Sequence, residues 1–202
     1  MQIVRLTQEN MNYVIGKALA ILRRGGIISY PTETFYGLGV KFDLPDSLKK
    51  LYELKRRPKK KAMPVIIGDR RSLSDVLLMS LSPAAEALVE QFWPGPLTLL
   101  LPAKEGLSDY LTARTGKIAV RIPGESFALH LARRAGFPIT ATSANVSGMP
   151  PADDIETVMK YFGEDIDLLI DGGKTPGGAP STIVDISEEG FRIVRQGAIR
   201  LP

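Results

Sequence analysis

Apolar residues recur along the chain in two periods, and the switches between them mark its elements. Ile3–Leu6 reads as a first short strand. Thr7 is placed to cap a helix running to about Arg24, whose Val14, Ala18, Ile21 and Leu22 fall on one face at helical spacing. Gly25-Gly26 ends it. Ile27–Tyr30 and Leu38–Phe42 read as short extended pieces separated by the polar loop Pro31–Gly37. Pro45 suits the first turn of a helix carrying Leu48, Leu51, Tyr52 and Leu54. Pro64–Gly68, Leu97–Pro102 and Ile118–Ile122 read as strands, and Ser82-Pro83 opens a helix to about Phe92. Further on come a helix over Glu125–Ala135 closed by Gly136, a strand over Ile139–Thr142, and a helix to Phe162 capped by Asp153 or Asp154. Leu168–Ile170, Thr182–Ile186 and Phe191–Val194 predict closing strands. Interleaved helices and strands, with strands dominating the last third, predict an α/β (α+β) fold: a twisted mixed sheet flanked by helices. No long linker divides the chain, so one domain over residues 1–202 is expected.

Composition narrows the chemistry. Of 202 residues, 44% are hydrophobic and 24% charged, the balance of a globular protein. There is no cysteine and one histidine, His130, which excludes disulfides, thiolate catalysis and any His-rich metal site. The amino terminus has no apolar stretch of signal-peptide length and no apolar run approaches a membrane span, so a cytoplasmic location without membrane attachment is expected. The net charge of +4 is unevenly placed. Lys49–Arg71 holds ten basic residues and two acids, whereas the remaining chain carries 16 bases and 20 acids. A segment of net +8 beside a remainder of −4 points to anionic partners, phosphate or nucleic acid, or else to a solvated loop.

Five polar segments leave the predicted strands, where α/β proteins usually hold ligands: Pro31–Thr34, Lys55–Lys61, Arg121–Pro123, Thr142–Asn145 with Gly148, and Pro180–Thr182. Their hydroxyls, carboxamide and cations suit phosphate and carboxylate binding rather than acid–base chemistry by histidine. Neither a P-loop nor Gly-x-Gly-x-x-Gly is present. Lys55 and Arg57, two apart in an extended tail, would share a face and grip one polyphosphate; the competing reading is a cationic helix C-terminus stabilised by the macrodipole. Thr32 could instead shape its turn, Ser143 and Asn145 could be caps, and Arg195 a surface charge. Glu33 would need a nearby cation to act as a base among anions, Trp93 reads as packing, and His130 as structural or exposed.

The segments SYPTETFYGLG (Ser29–Gly39), KRRP (Lys55–Pro58), WPGPLT (Trp93–Thr98), VRIP (Val120–Pro123), ATSANVSG (Ala141–Gly148), PSTIVD (Pro180–Asp185) and RQGAI (Arg195–Ile199) occur in the order in which the YrdC/TsaC family of threonylcarbamoyl-AMP synthases carries them. The chain resembles the short, single-domain form. The resemblance implies a YrdC/RibB-like fold with an open, basic, concave site. It implies a nucleotidyltransferase that condenses L-threonine, bicarbonate or CO2 and ATP into threonylcarbamoyl-AMP and pyrophosphate, for N6-threonylcarbamoyladenosine modification of tRNA. On this resemblance Lys55, Arg57, Ser143 and Asn145 form the catalytic tetrad, Thr32, Arg121 and Ser181 bind threonine, and Lys55, Lys59, Ser143 and Arg195 bind ATP. Mg2+ is expected with ATP, without assigned protein ligands. The product is expected to pass to the tRNA threonylcarbamoyl-transferase complex, and direct tRNA contact stays open.

Glu125 and Ile66 stand where many members carry histidine, and Lys61-Ala62 where Lys-Pro or Lys-Gly is usual. Two alternatives remain. One is an RNA-binding module, supported by the basic segment but lacking interleaved aromatics beyond Tyr52. The other is a non-synthase paralogue of the same fold, against which the intact tetrad argues. The carbamoyl-phosphate-using hydrogenase maturation enzymes add Cys-rich and acylphosphatase segments that this sequence does not have.

Overall fold

The computed structural model describes residues 1–58, 60–187 and 190–201. In chain order its elements are β1 (Gln2–Arg5), α1 (Met11–Arg23), β2 (Ile28–Pro31), β3 (Tyr36–Gly39), α2 (Pro45–Leu54), β4 (Val65–Ile66), α3 (Pro83–Phe92), β5 (Leu97–Pro102), α4 (Asp109–Thr112), β6 (Lys117–Arg121), α5 (Phe127–Ala135), β7 (Ile139–Thr140), β8 (Thr142–Ser143), α6 (Ile155–Phe162), β9 (Leu168–Asp171), β10 (Thr182–Ser187) and β11 (Gly190–Arg195). Local signals set most helix ends. Pro45 and Pro83 occupy first turns, Ser82 accepts from Ala85 N, Asp154 rather than Asp153 caps α6 by accepting from Thr157 N, and Gly136 closes α5 in the left-handed region. Thr7 does not cap α1. Its Oγ1 accepts from Asn10 N while Asn10 Oδ1 accepts from Thr7 N, so these residues close a turn of their own and the helix starts at Met11. The short helix α4 and a 3-10 turn over Arg70–Asp75 carry too few apolar positions to show a period.

The mixed sheet is present as two sheets. The first runs β1-β9-β2-β3-β8, with β1, β9 and β2 parallel and β3 antiparallel to both β2 and β8. The second runs β11-β10-β5-β6-β4-β7, with parallel pairs β10–β5 and β6–β4 and antiparallel pairs elsewhere. A bridge between Lys41, just past β3, and Ile139 of β7 joins them. The stretch expected as one strand over Ile139–Thr142 therefore divides. β7 pairs with β4, Ala141 N donates to Pro64 O, and β8 crosses to pair with β3. Ser143 emerges one residue pair after this change of sheet.

Packing follows the period of two. On β9, Leu168 and Ile170 face one core with α1 and α5, while Leu169 joins the other. On β4, Ile66 faces the α1/α5 core, and Val65 with Ile67 faces the larger one formed with α2, α3, α6 and β5. Residues of both sheets thus share each core. Each fully buried Leu, Ile or Val contributes about 1.5–3 kcal/mol of transfer free energy, so the loops at the junction rest on a stiff base. Among the described residues no helix is long and apolar enough to cross a membrane.

Candidate active site

Lys55 is the first residue after α2 and is 1% exposed. Its Nζ donates to the backbone carbonyls of Ser143 (2.5 Å) and Asn145 (2.6 Å) and lies 3.3 Å from Asn145 Oδ1. The backbone adds a clasp, Ser147 N donating to Lys55 O. Ser143 Oγ donates to Asn145 Oδ1 at 2.6 Å, and Asn145 Nδ2 donates to Met149 O. Burial, and then the charge of Arg57, pull the Lys55 ammonium down to about pKa 7. Three of the four residues expected as a tetrad are therefore in direct contact; Lys55 is the C-cap residue of α2 through its backbone, but its ammonium turns to the Ser143–Asn145 segment and not to solvent.

Arg57 follows a different course. Arg56 has φ +48°, in the left-handed region, so Lys55 and Arg57 do not lie along an extended tail sharing a face as their spacing suggested. Arg57 turns back to donate to Lys61 O (2.9 Å) and Ala62 O (2.6 Å), with Nη1 3.5 Å from Thr142 Oγ1. It thereby reaches the start of β8, and its side-chain hydrogen bonds go to Thr142, Lys61 and Ala62 and not to Ser143 or Asn145. Burial lowers its pKa. Tyr52 Oη donates to Pro58 O or Lys61 O and ties the basic loop to α2. Lys59, expected at ATP, lies outside the described residues. The outer part of the basic segment is surface: Arg70 pairs with Glu86 and Arg71 with Asp69.

The residues expected at threonine form a second group. Thr32 opens the turn between β2 and β3. Its Oγ1 donates to Phe35 O and accepts from Thr34 N and Phe35 N. It shapes its turn, and its hydroxyl is occupied there. Arg121, at the end of β6, pairs through Nη1 with Glu33 Oε1 from that same turn. Glu33 thus has the cation it was expected to need, and that cation is the arginine expected at the substrate carboxylate. Ser181 precedes β10, and its Oγ is 2.9 Å from Thr98 Oγ1. Arg195, exposed overall, folds its guanidinium onto Ser181, with Nη2 2.7 Å from the carbonyl and 3.1 Å from Oγ. Burial of this head group and the nearby positive charge of Arg121 both lower its pKa. Arg195 is therefore placed with Arg121 and Ser181, rather than at Lys55.

The two groups adjoin through β3. Tyr36, the first residue after the Thr32 turn, accepts from Ala144 N and donates its own N–H to Ala152 O, and Gly37 pairs with Ser143. The segment Ser143–Asn145 is thus laced to the strand leaving the Glu33 turn. Buried Tyr30, on the partner strand, has its pKa raised by burial and feels the charges of Arg121 and Glu33. Residues not singled out from the sequence are Thr98 and Tyr30, and Thr142 stood there only as the start of a polar segment. A threonine inside the apolar run 97–101 was the one available signal for Thr98. Two open clefts lie elsewhere, one of about 540 Å3 beside Arg70, Leu77, Met79 and Lys104, the other of about 680 Å3 beside Arg24, Lys50, Arg56 and Asp167. None of the expected site residues lines them. Glu125, where the resemblance led us to expect histidine, lies 2.7 Å through Oε1 from His130 Nε2.

Comparison with known proteins bears on this arrangement. The Sua5/YciO/YrdC family model, described as telomere recombination, matches residues 20–197. The threonylcarbamoyl-AMP synthase of Bacillus subtilis is 39% identical over 92% of this chain and 54% of its own length. That of Vibrio parahaemolyticus is 34% identical over 90% of this chain and 97% of its own. The structure of Pyrococcus abyssi Sua5 complexed with L-threonine matches with a TM-score of 0.91 at 34% identity, over 98% of this chain and 58% of that one. The chain thus spans little more than half the length of the Bacillus and Pyrococcus proteins. A family model that runs from the end of α1 to the residues just after β11 takes in every strand but β1 and both polar groups, and the chain belongs to the Sua5/YciO/YrdC family.

Proposed function

We propose that this chain is a threonylcarbamoyl-AMP synthase, joining L-threonine, bicarbonate or CO2 and ATP into threonylcarbamoyl-AMP with release of pyrophosphate, in the service of threonylcarbamoyladenosine formation in tRNA. The observation that carries the reading is the enclosure of Lys55 by the Ser143–Asn145 segment beside a second cationic group, Arg121 and Arg195. Relatives named for this activity, and a related structure holding L-threonine, support it.

The chemistry to be solved is chiefly electrostatic. Threonine carboxylate, carbamate and triphosphate are all anions, and at an effective dielectric of 20 two unit charges 4 Å apart repel by about 4 kcal/mol. Arg121 offers a planar fork to the amino-acid carboxylate, with Ser181 beside it. Lys55, Arg57 and Arg195 offset the charge of the phosphates and of the departing pyrophosphate, while Ser143 and Asn145 orient the α-phosphate region. The attacking atom is a carbamate oxygen of the substrate, so no protein nucleophile is needed. Among the described residues no group of three or more His, Asp or Glu could hold a metal. Mg2+ entering with ATP would be carried by phosphate oxygens and water, and no protein ligand is assigned.

The test is incubation with ATP, Mg2+, labelled bicarbonate and each amino acid in turn. A labelled acyl-adenylate that forms with threonine is the expected product, and its absence overturns the proposal.

A further inference from the structure

Glu33 and Arg121 are 16% and 12% exposed in their side chains, and one guanidinium nitrogen, Nη1, holds one carboxylate oxygen, Oε1. The other oxygen, Oε2, is buried and has no hydrogen-bond partner. A carboxylate oxygen that has lost water and gained no donor is costly and needs an explanation. Among the described residues Nη1 is also the one side-chain nitrogen of Arg121 that donates a hydrogen bond. The pair therefore keeps unused accepting capacity on its anion and unused donating capacity on its cation, side by side.

Neighbouring groups do not have such capacity. Thr32 Oγ1 is engaged by Phe35 O, Thr34 N and Phe35 N, and this bonding holds the turn that carries Glu33. Ser181 Oγ is engaged by Thr98 and Arg195.

We infer that Glu33 is an amino-acid-binding residue: the substrate's carboxylate takes Arg121 while its ammonium group takes Glu33. An α-amino acid carries these two charges on neighbouring atoms, the complement of the Arg121–Glu33 pair. A neutral zwitterion set on a neutral ion pair adds no net charge, whereas a carboxylate without an amine would place two anions on one guanidinium. The nitrogen keeps one N–H after carbamoylation, so Glu33 can accept from it before and after that step. The inference rests on the assignment of Arg121 to the amino-acid carboxylate.

The experiment is calorimetric titration of wild type and Glu33→Gln with L-threonine and with 3-hydroxybutyrate, the same skeleton without the amine. Wild type should prefer threonine. Glu33→Gln should bind threonine roughly ten- to hundredfold more weakly, the loss of a charge-assisted hydrogen bond. It should bind 3-hydroxybutyrate as well as or better than wild type, because the competing carboxylate is gone. ATP affinity equal to wild type shows that the variant is folded. A Glu33→Gln protein that keeps the affinity and preference of wild type overturns the role of Glu33 alone. Equal binding of both ligands by wild type does so without any variant. Wild type that binds no threonine overturns the functional reading along with it.

Discussion

Replacing Lys55 by methionine tests the electrostatics of the site through stability, without reference to turnover. Methionine keeps the length of the stem and removes the charge. In the folded protein burial brings the Lys55 pKa from its ordinary 10.5 to about 7. That difference corresponds to roughly 5 kcal/mol between the charged side chain in water and in the fold. The carbonyl oxygens of Ser143 and Asn145 and Asn145 Oδ1 favour the charged form, so this is the upper end. Between pH 7 and 10.5 the unfolded chain holds a proton that the folded chain has released, so the contribution of Lys55 to stability rises with pH across that window. It is constant below the window and above it. Urea denaturation of both proteins at steps from pH 6 to 10 reads this directly, since all other titrating groups cancel in the difference. Wild type minus Lys55→Met should grow by up to about 1.4 kcal/mol per pH unit above neutrality. A difference that does not move with pH refutes the buried, depressed lysine. The same property links to substrate. A polyphosphate beside Lys55 favours the ammonium, so ATP binding at pH 8 should take up as much as roughly 0.9 of a proton, measured by calorimetry in buffers of different ionisation enthalpy. Lys55→Met should take up none and form no adenylate.

Arg121→Ala should lose threonine affinity much more than ATP affinity in paired titrations, and equal losses would refute its assignment to the carboxylate. Gly197→Ala should be strongly destabilising. A Cβ there would lie 2.1 Å from Pro180 O and 2.5 Å from Ser181 C, so the chain carrying Arg195 must shift off Ser181. Overpacking of this kind costs about 1–3 kcal/mol, and a denaturation free energy within about 0.5 kcal/mol of wild type would show that the close approach is absent. Asp154→Ala removes the cap on Thr157 N and should cost about 1 kcal/mol at neutral pH. The hydrogen bonds from Thr157 hold the Asp154 pKa below 3.8, so the stabilisation is present above that pH and fades as acid protonates the carboxylate. A cost that persists unchanged at the lowest pH would count against the cap.

What could be read along the chain and what could not divide by the range of the interaction. Helix ends governed by neighbours three or four residues away were legible: Pro45 at a first turn, Ser82 on Ala85, Gly136 in the left-handed region. The cations of the site depend on partners far away. The acceptors that draw Lys55 inward lie 88 and 90 residues on, so spacing alone favoured a helix-end charge over a phosphate grip. Arg56 reverses the chain at φ +48°, which no property of an arginine announces, and so the expected common face of Lys55 and Arg57 is absent. The run from Ile139 to Thr142 reads as one strand because both halves are β-branched or small; only the competing edges of β4 and β3 divide it. Arg195 could be a surface charge or a phosphate ligand, and its position is set by Ser181, 14 residues earlier. Glu33 shows the same logic most clearly. Its need for a cation could be stated from charge alone, but the cation proved to be Arg121, 88 residues away. In each case the nonlocal partner stands in or next to one of the polar segments that leave the strands. Nonlocal pairing alone does not mark these residues, since Arg5 with Asp171 and Lys117 with Asp185 also pair across the chain; what sets Lys55, Glu33 and Arg195 apart is that their partners stand in the polar segments that leave the strands.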